Sequence, residues 1–165
     1  MINFLKSLLN LISFYRLNPS WKNIVFFSEG SNYYSVYEQI INDLLKREKK
    51  ITFITADYND QIYSVKDDNL KIFYSKNIYT HILFLNFIKC KNLIMTMPDL
   101  NNFEIKKSKN VEKYIYLFHS LVSCHMIYRN KAFHNYDIIH CSTYNQYNEL
   151  VKLKNGEELV YKDLS

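Results

Sequence analysis

Four polar side chains that can do chemistry lie within seven residues: His119, Ser120, Ser123 and His125, inside the run Tyr114 to Glu149. An imidazole titrates near neutral pH, so His119 is suited to take a proton from an incoming hydroxyl. Ser120 and Ser123 are helix-opening residue types. The N–H groups left free at a helix start can, with these hydroxyls, hold phosphate oxygens. His125, one turn along the expected helix, either faces the same cleft or packs inside. Far upstream, Gly30 and Ser31 lie in the turn Glu29-Gly30-Ser31-Asn32, between a first strand and a first helix, where main-chain N–H groups can cradle phosphate. A lone glycine without GxGxxG spacing is more simply a plain βα connection.

The elements that position these residues are short. Tyr114 to Phe118 is apolar and aromatic-rich, as a buried strand is, and breaks off at His119-Ser120. A helix capped by Ser120 or Ser123 is expected to carry Met126, Ile127, Tyr128 and Phe133 on to a further strand, Asp137 to Cys141. A polar pair at the carboxyl end of a buried strand, just ahead of a helix, is where open α/β sheets bind ligands. The competing reading of His119 is a core histidine tied to a backbone carbonyl, and the residues alone favour that reading. Asp137 reads as a turn residue before it reads as a partner for a histidine. Tyr128 and Phe133 read as core, and His81, His134 and His140 as structural.

The rest of the chain repeats a βα pattern. Strands are expected at Ile24 to Phe27, Ile51 to Thr55, Leu70 to Tyr74 and Leu93 to Met97, the last stopping at Pro98-Asp99. Helices are expected from about Tyr33 to Arg47, with Val36, Ile40, Ile41, Leu44 and Leu45 inward, from Tyr79 to Ile88, and from Thr143 to Leu153, capped by Ser142 or Thr143. No hairpin signal interrupts the order. The expected fold is therefore α/β: a Rossmann-like parallel sheet with helices on both faces, joined by right-handed crossovers.

An amphipathic helix over residues 2–17 precedes it, so the organisation reads as 1–18 helix and 19–165 one domain. Asn3, Lys6, Ser7, Asn10 and Ser13 make its polar face; Phe4, Leu5, Leu8, Leu9, Leu11, Ile12 and Tyr15 make its apolar one. The segment is too short to span a bilayer, and no small-residue cleavage site follows it. The first acidic residue is Glu29, whereas Lys6, Arg16 and Lys22 are basic, which suits an anionic membrane surface. Packing on the domain or on a partner would produce the same stripe.

Composition narrows the function classes. The 165 residues, 48% hydrophobic, suffice for one domain with a proper core. The net charge of +5 comes with over-use of Lys, Asn, Ile, Tyr and Phe, as AT-rich coding produces, and the basic residues are scattered. No nucleic-acid partner is therefore expected. Cys90, Cys124 and Cys141 are an odd set without CxxC, which reads as buried thiols in a reducing cytoplasm. Adjacent Cys124-His125 and His140-Cys141 point apart on a helix or strand, so no metal site is expected. The Asp-rich loop from Asp57 to Asp68 lacks the glycine and closing glutamate of a calcium loop. No cofactor is expected.

The run MTMPDLNNFEIKKSKNVEKYIYLFHSLVSCHMIYRNKAFHNYDIIHC resembles the amino-terminal half of the CDP-glycerol glycerophosphotransferase family, the teichoic-acid-type polymerases and primases. The likeness rests on Thr96-x-Pro98-Asp99-Leu100, Lys107-Ser108, His119-Ser120, Ser123, Tyr128, Phe133, Tyr136-Asp137 and Glu149. It extends more weakly over residues 24 to 153. It implies a GT-B architecture in which this domain contributes the acceptor side and His119 as base, reversing the preference stated above. It also implies a CDP-linked donor, a polymer or lipid-linked acceptor, and peripheral attachment to the inner face of the cell membrane. The donor-binding half of such enzymes has no counterpart in these residues, so the expectation is a donor domain either supplied by a separate chain or lost from this reading frame. The alternative expectation is a non-catalytic binding module or vestigial fragment of such a transferase.

Overall fold

The computed structural model of the protein describes residues 2–75, 78–101, 105–120, 127–129 and 131–154. Six strands form one sheet: β1 (Ile24–Ser28), β2 (Ile51–Thr55), β3 (Leu70–Tyr74), β4 (Cys90–Met95), β5 (Val111–Leu117) and β6 (Ile138–His140). Their order is β3-β2-β1-β4-β5-β6, and every pairing is parallel. The fold is α/β and Rossmann-like, preceded by α1 (Ile2–Tyr15). The chain builds outward from β1 in both directions, so the β1–β4 neighbourhood is the topological switch point.

Parallel strands are covered on both faces and therefore read as continuous apolar runs. All five residues of β2 are buried, as are Val25, Phe26, Phe27 and Ser28 of β1. One core lies under α2 (Tyr34–Lys46), whose buried Tyr34, Tyr37, Ile41 and Leu45 recur at helical spacing. The other lies under α1, α3 (Ile78–Phe87) and α4 (Tyr144–Lys154), through Leu11, Phe14, Phe84, Leu85 and Leu150. The side chain of His81 lies outside the described residues.

The strand bounds at β2 and β3 agree with the sequence reading, but β4 and β5 each begin three residues earlier. Cys90 pairs with Val111 and Asn92 with Lys113. Glu112 and Lys113 are exposed, so their main chains join the ladder while their side chains hide the strand from a hydrophobicity reading.

The helix expected to carry residues 126 to 133 is not what the structure holds over its second half. Ile127 is helical, but Tyr128 and Arg129 have left the helix, and Lys131 has a left-handed φ of 72°. Successive turns follow, with Ala132 N–H donating to Arg129 O and Tyr136 N–H to Phe133 O. The aromatic spacing has another cause: Tyr116, Phe118, Tyr128 and Phe133 pack ring against ring beneath β5.

In α1 the packing seam runs through Ser7, Leu11 and Phe14 with Leu8 beside it, so it takes in Leu8 and Leu11 of the expected apolar face but not Leu5, Leu9 or Ile12. Phe14 stands edge-on to Phe73 of β3 and to Phe84 of α3. That rotation buries Ser7 and turns Leu5, Leu9 and Ile12 outward.

Candidate functional site

The carboxyl ends of β1, β4 and β5 carry the polar groups that converge. His119 follows β5 by two residues and is exposed. Its imidazole hydrogen-bonds to the Thr96 main chain, directly after β4, and its ring meets that of Tyr33 edge-on, centroids 5.1 Å apart and planes at 89°. Tyr33 ends the 3-10 turn Ser31–Tyr33 that leads from β1 into α2. His119 is thus held from both sides of the switch point, on the rim where ligands of such sheets bind. It is tied to a carbonyl, as a structural histidine would be, but is not sealed in the core.

Burial by these neighbours lowers the His119 pKa from 6.5, and the bond to Thr96 opposes part of that shift. A lowered pKa leaves the ring neutral at pH 7, the form that accepts a proton.

Beneath the rim, Tyr37 fastens the switch point. Its buried hydroxyl lies 2.8 Å from Phe27 O at the end of β1 and 3.2 Å from Thr96 Oγ1 after β4. Burial pushes the Tyr37 phenol pKa well up, so it stays protonated. Glu29, next after β1, has its carboxyl pKa raised by burial, and its charge adds to the upward shifts that burial causes at Tyr33 and Tyr37.

Beside His119 lies a hollow of about 240 Å³, lined by Val36 and Ile40 of α2, by Leu117 to Ser120, by His140 at the end of β6 and by Ser142 after it. Ser120 is fixed through its carbonyl, which accepts from Gln146 Nε2 at 2.8 Å. The other end of the same amide, Gln146 Oε1, accepts from Ser142 N–H at 3.1 Å. Gln146 N–H donates to Thr143 Oγ1, so Thr143 is the helix cap and Gln146 closes a capping-box variant across two strand tails.

Gly30 and Ser31 lie on the β1–α2 connection, one and two residues past Glu29. The Gly30 N–H donates to Ser28 Oγ at 3.4 Å, and Ser28 Oγ donates to Gly30 O at 2.8 Å. At φ 169° the glycine is simply extended, and a Cβ there would meet open space. No close backbone approach demands a glycine, so a plain βα connection accounts for it. Ser123 and His125 lie outside the described residues, as does Cys124.

The remaining candidates are structural. Cys90 and Cys141 are buried, and burial raises their thiol pKa values to about 12 and about 11. Among the described residues no group of three or more His, Cys, Asp or Glu side chains is placed to hold a metal ion. Asp137 joins β6 to β5: Oδ2 accepts from Tyr114 N–H at 2.7 Å and Oδ1 lies 3.2 Å from Lys107 Nζ.

Sequence reasoning gave no role to Tyr33, Tyr37, Glu29 or Gln146. Only Gln146 left a local signal, the Thr143-x-x-Gln146 spacing of a capping box. Tyr33 and Tyr37 act across 86 and 59 residues of chain, a relation carried by topology alone. No family model, curated protein or solved structure matches the chain.

Proposed function

We propose that this domain is the acceptor side of a CDP-glycerol glycerophosphotransferase-like enzyme of GT-B architecture, working with a donor-binding domain at the cytoplasmic face of the membrane. In that reaction the acceptor hydroxyl oxygen forms a bond to the glycerol-bearing phosphorus. The pyrophosphate P–O bond breaks, CMP leaves, and the hydroxyl proton passes to His119.

The observation that supports this most is the place and state of His119. It is an exposed imidazole on the carboxyl rim, oriented by Thr96 and Tyr33 and kept neutral by partial burial. The adjoining hollow, with Ser120 and Ser142 on its lining, gives an acceptor alcohol somewhere to sit. Charge stabilisation at the phosphate is assigned to the second domain, because the Gly30 turn spends one N–H on Ser28.

That same turn favours a second reading, a binding module without transfer activity. The deciding experiment mixes the purified chain, a complementing donor domain, CDP-glycerol and a polyol-phosphate acceptor, and measures CMP. CMP release that requires both chains supports the transferase reading. Acceptor binding to this chain without CMP release leaves the binding module.

A further inference from the structure

At the far end of the carboxyl rim, beyond β2 and β3, a second hollow of about 410 Å³ opens between α1 and the edge of the sheet. Three tyrosines line it. Tyr74 ends β3, Tyr58 follows β2, and Tyr63 lies in the 3-10 turn Gln61–Ser64. Leu9 and Ile72 give it apolar wall, Lys6 and Asn10 polar wall. Asn10 Nδ2 donates to Tyr74 O at 3.1 Å, which ties α1 to the strand end. The volume and the mixture of rings with a few polar groups are those of a small-ligand site. Four strand steps separate β3 from β5, so the hollow lies roughly 19 Å from the His119 rim at ordinary strand spacing.

Tyr74 is the group that calls for a ligand. Its side chain is 3% exposed, and its hydroxyl has no hydrogen-bond partner among the described residues. A buried hydroxyl left unmet is costly. Burial, and after it the neighbouring Tyr58 phenol, push the Tyr74 pKa up to about 12, so the hydroxyl keeps its proton to donate. What covers it is another flat ring. Tyr58 stacks on Tyr74 with centroids 3.4 Å apart and planes at 21°, and Lys6 Nζ lies 5.8 Å from the Tyr58 centroid. Tyr58 is 44% exposed, and exposed side chains change rotamer readily. The slot that Tyr58 fills therefore offers an aromatic floor, a phenol proton and an ammonium group.

The chemistry of the lining selects the ligand. No Asp or Glu is among the described residues that line the hollow, and Asp57 nearby accepts from the Asn59 N–H through Oδ1 at 2.9 Å. Phenols and an ammonium without carboxylates match a ligand rich in acceptors, an oxyanion. A sugar, whose hydroxyls also donate, would find few acceptors there.

We propose that this hollow binds a small aromatic acid, its ring taking the place of Tyr58 on Tyr74 and its carboxylate or phosphate oxygens accepting from the Tyr74 hydroxyl and the Lys6 ammonium. Tyr58 is then a competitor for the slot. The inference is independent of any transfer at His119.

The test is isothermal titration of the full chain with benzoate, phenyl phosphate, benzyl alcohol and inorganic phosphate. At least one of the two aromatic anions is expected to bind about tenfold or more tighter than the neutral alcohol or the bare phosphate, and the tighter of the two identifies the oxyanion. Lys6→Met is expected to remove the preference for charge, whereas Lys89→Met, an equal change of net charge elsewhere, binds as wild type. Tyr74→Phe is expected to weaken binding about tenfold without lowering the Tm of the free chain, because the hydroxyl it removes has no partner there. Tyr58→Ala is expected to strengthen binding by removing the competing ring. No binding of either aromatic anion at about 10 mM, equal binding of benzyl alcohol, binding unchanged by Tyr74→Phe, or loss of binding in Tyr58→Ala would each overturn the assignment.

Discussion

The ring of Tyr33 meets the imidazole of His119 edge-on at 5.1 Å, linking the turn after β1 to the tail of β5 across the end of β4. The contact restricts water around one side of the imidazole while leaving the residue exposed. Burial of this kind disfavours the charged ring, so the His119 pKa lies below 6.5 in the folded chain. An NMR titration of the histidine ring protons is expected to show this, and Tyr33→Ala to bring the value back toward 6.5. The linkage sign follows. Between the lowered folded value and 6.5 the unfolded chain binds more protons, so this group's contribution makes stability fall as pH drops through that window.

Tyr37 is the second expectation. Its hydroxyl joins Phe27 O and Thr96 Oγ1 inside the core, so Tyr37→Phe removes both contacts. Urea unfolding is expected to show a loss of about 1–3 kcal/mol. Because Thr96 holds the imidazole, the variant's His119 resonances should shift as well; unchanged stability and unchanged resonances would remove Tyr37 from the account.

Asp137 bridges β5 and β6 through a main-chain N–H, whereas its pairing with Lys107 is partly exposed. Asp137→Ala is therefore expected to cost about 1–2 kcal/mol and Lys107→Ala less, by chemical denaturation. Equal losses would mean that the ion pair, not the Tyr114 bond, holds the edge strand.

Asp60 gives a pH prediction of opposite sign. Its side chain caps the turn at Gln61–Ser64 and accepts from Thr55 Oγ1 at 2.6 Å, yet burial raises its pKa above 3.8. The folded chain then holds this proton to higher pH than the unfolded chain, so the contribution to stability falls as pH rises through that interval. Asp60→Asn is expected to compare better with wild type at pH 7 than at pH 4, by thermal unfolding at the two values.

Much of the fold was legible because a parallel sheet writes its strands as apolar runs. Ile51–Thr55 and Leu70–Tyr74 announce themselves, while Glu112 and Lys113 conceal the start of β5 since only their main chains are paired. His119 could be placed from the strand that precedes it. Its surroundings could not: Thr96, Tyr33 and Tyr37 come from other crossovers, and only strand order brings them to one rim. The orientation of α1 departs from the expected face at Leu5, Leu9 and Ile12 for a related reason. Its periodicity offers two usable faces, and the neighbours Phe73 and Phe84 chose the one through Ser7, Leu11 and Phe14.

The central claim is that the His119 imidazole accepts the acceptor's proton during transfer. The most direct measurement is the rate of CMP release from CDP-glycerol by this chain with its donor domain, wild type against His119→Ala, both verified as folded. The account predicts a fall of about 10²–10⁴-fold in the variant, the usual worth of a general base. Equal turnover by the two chains would contradict it.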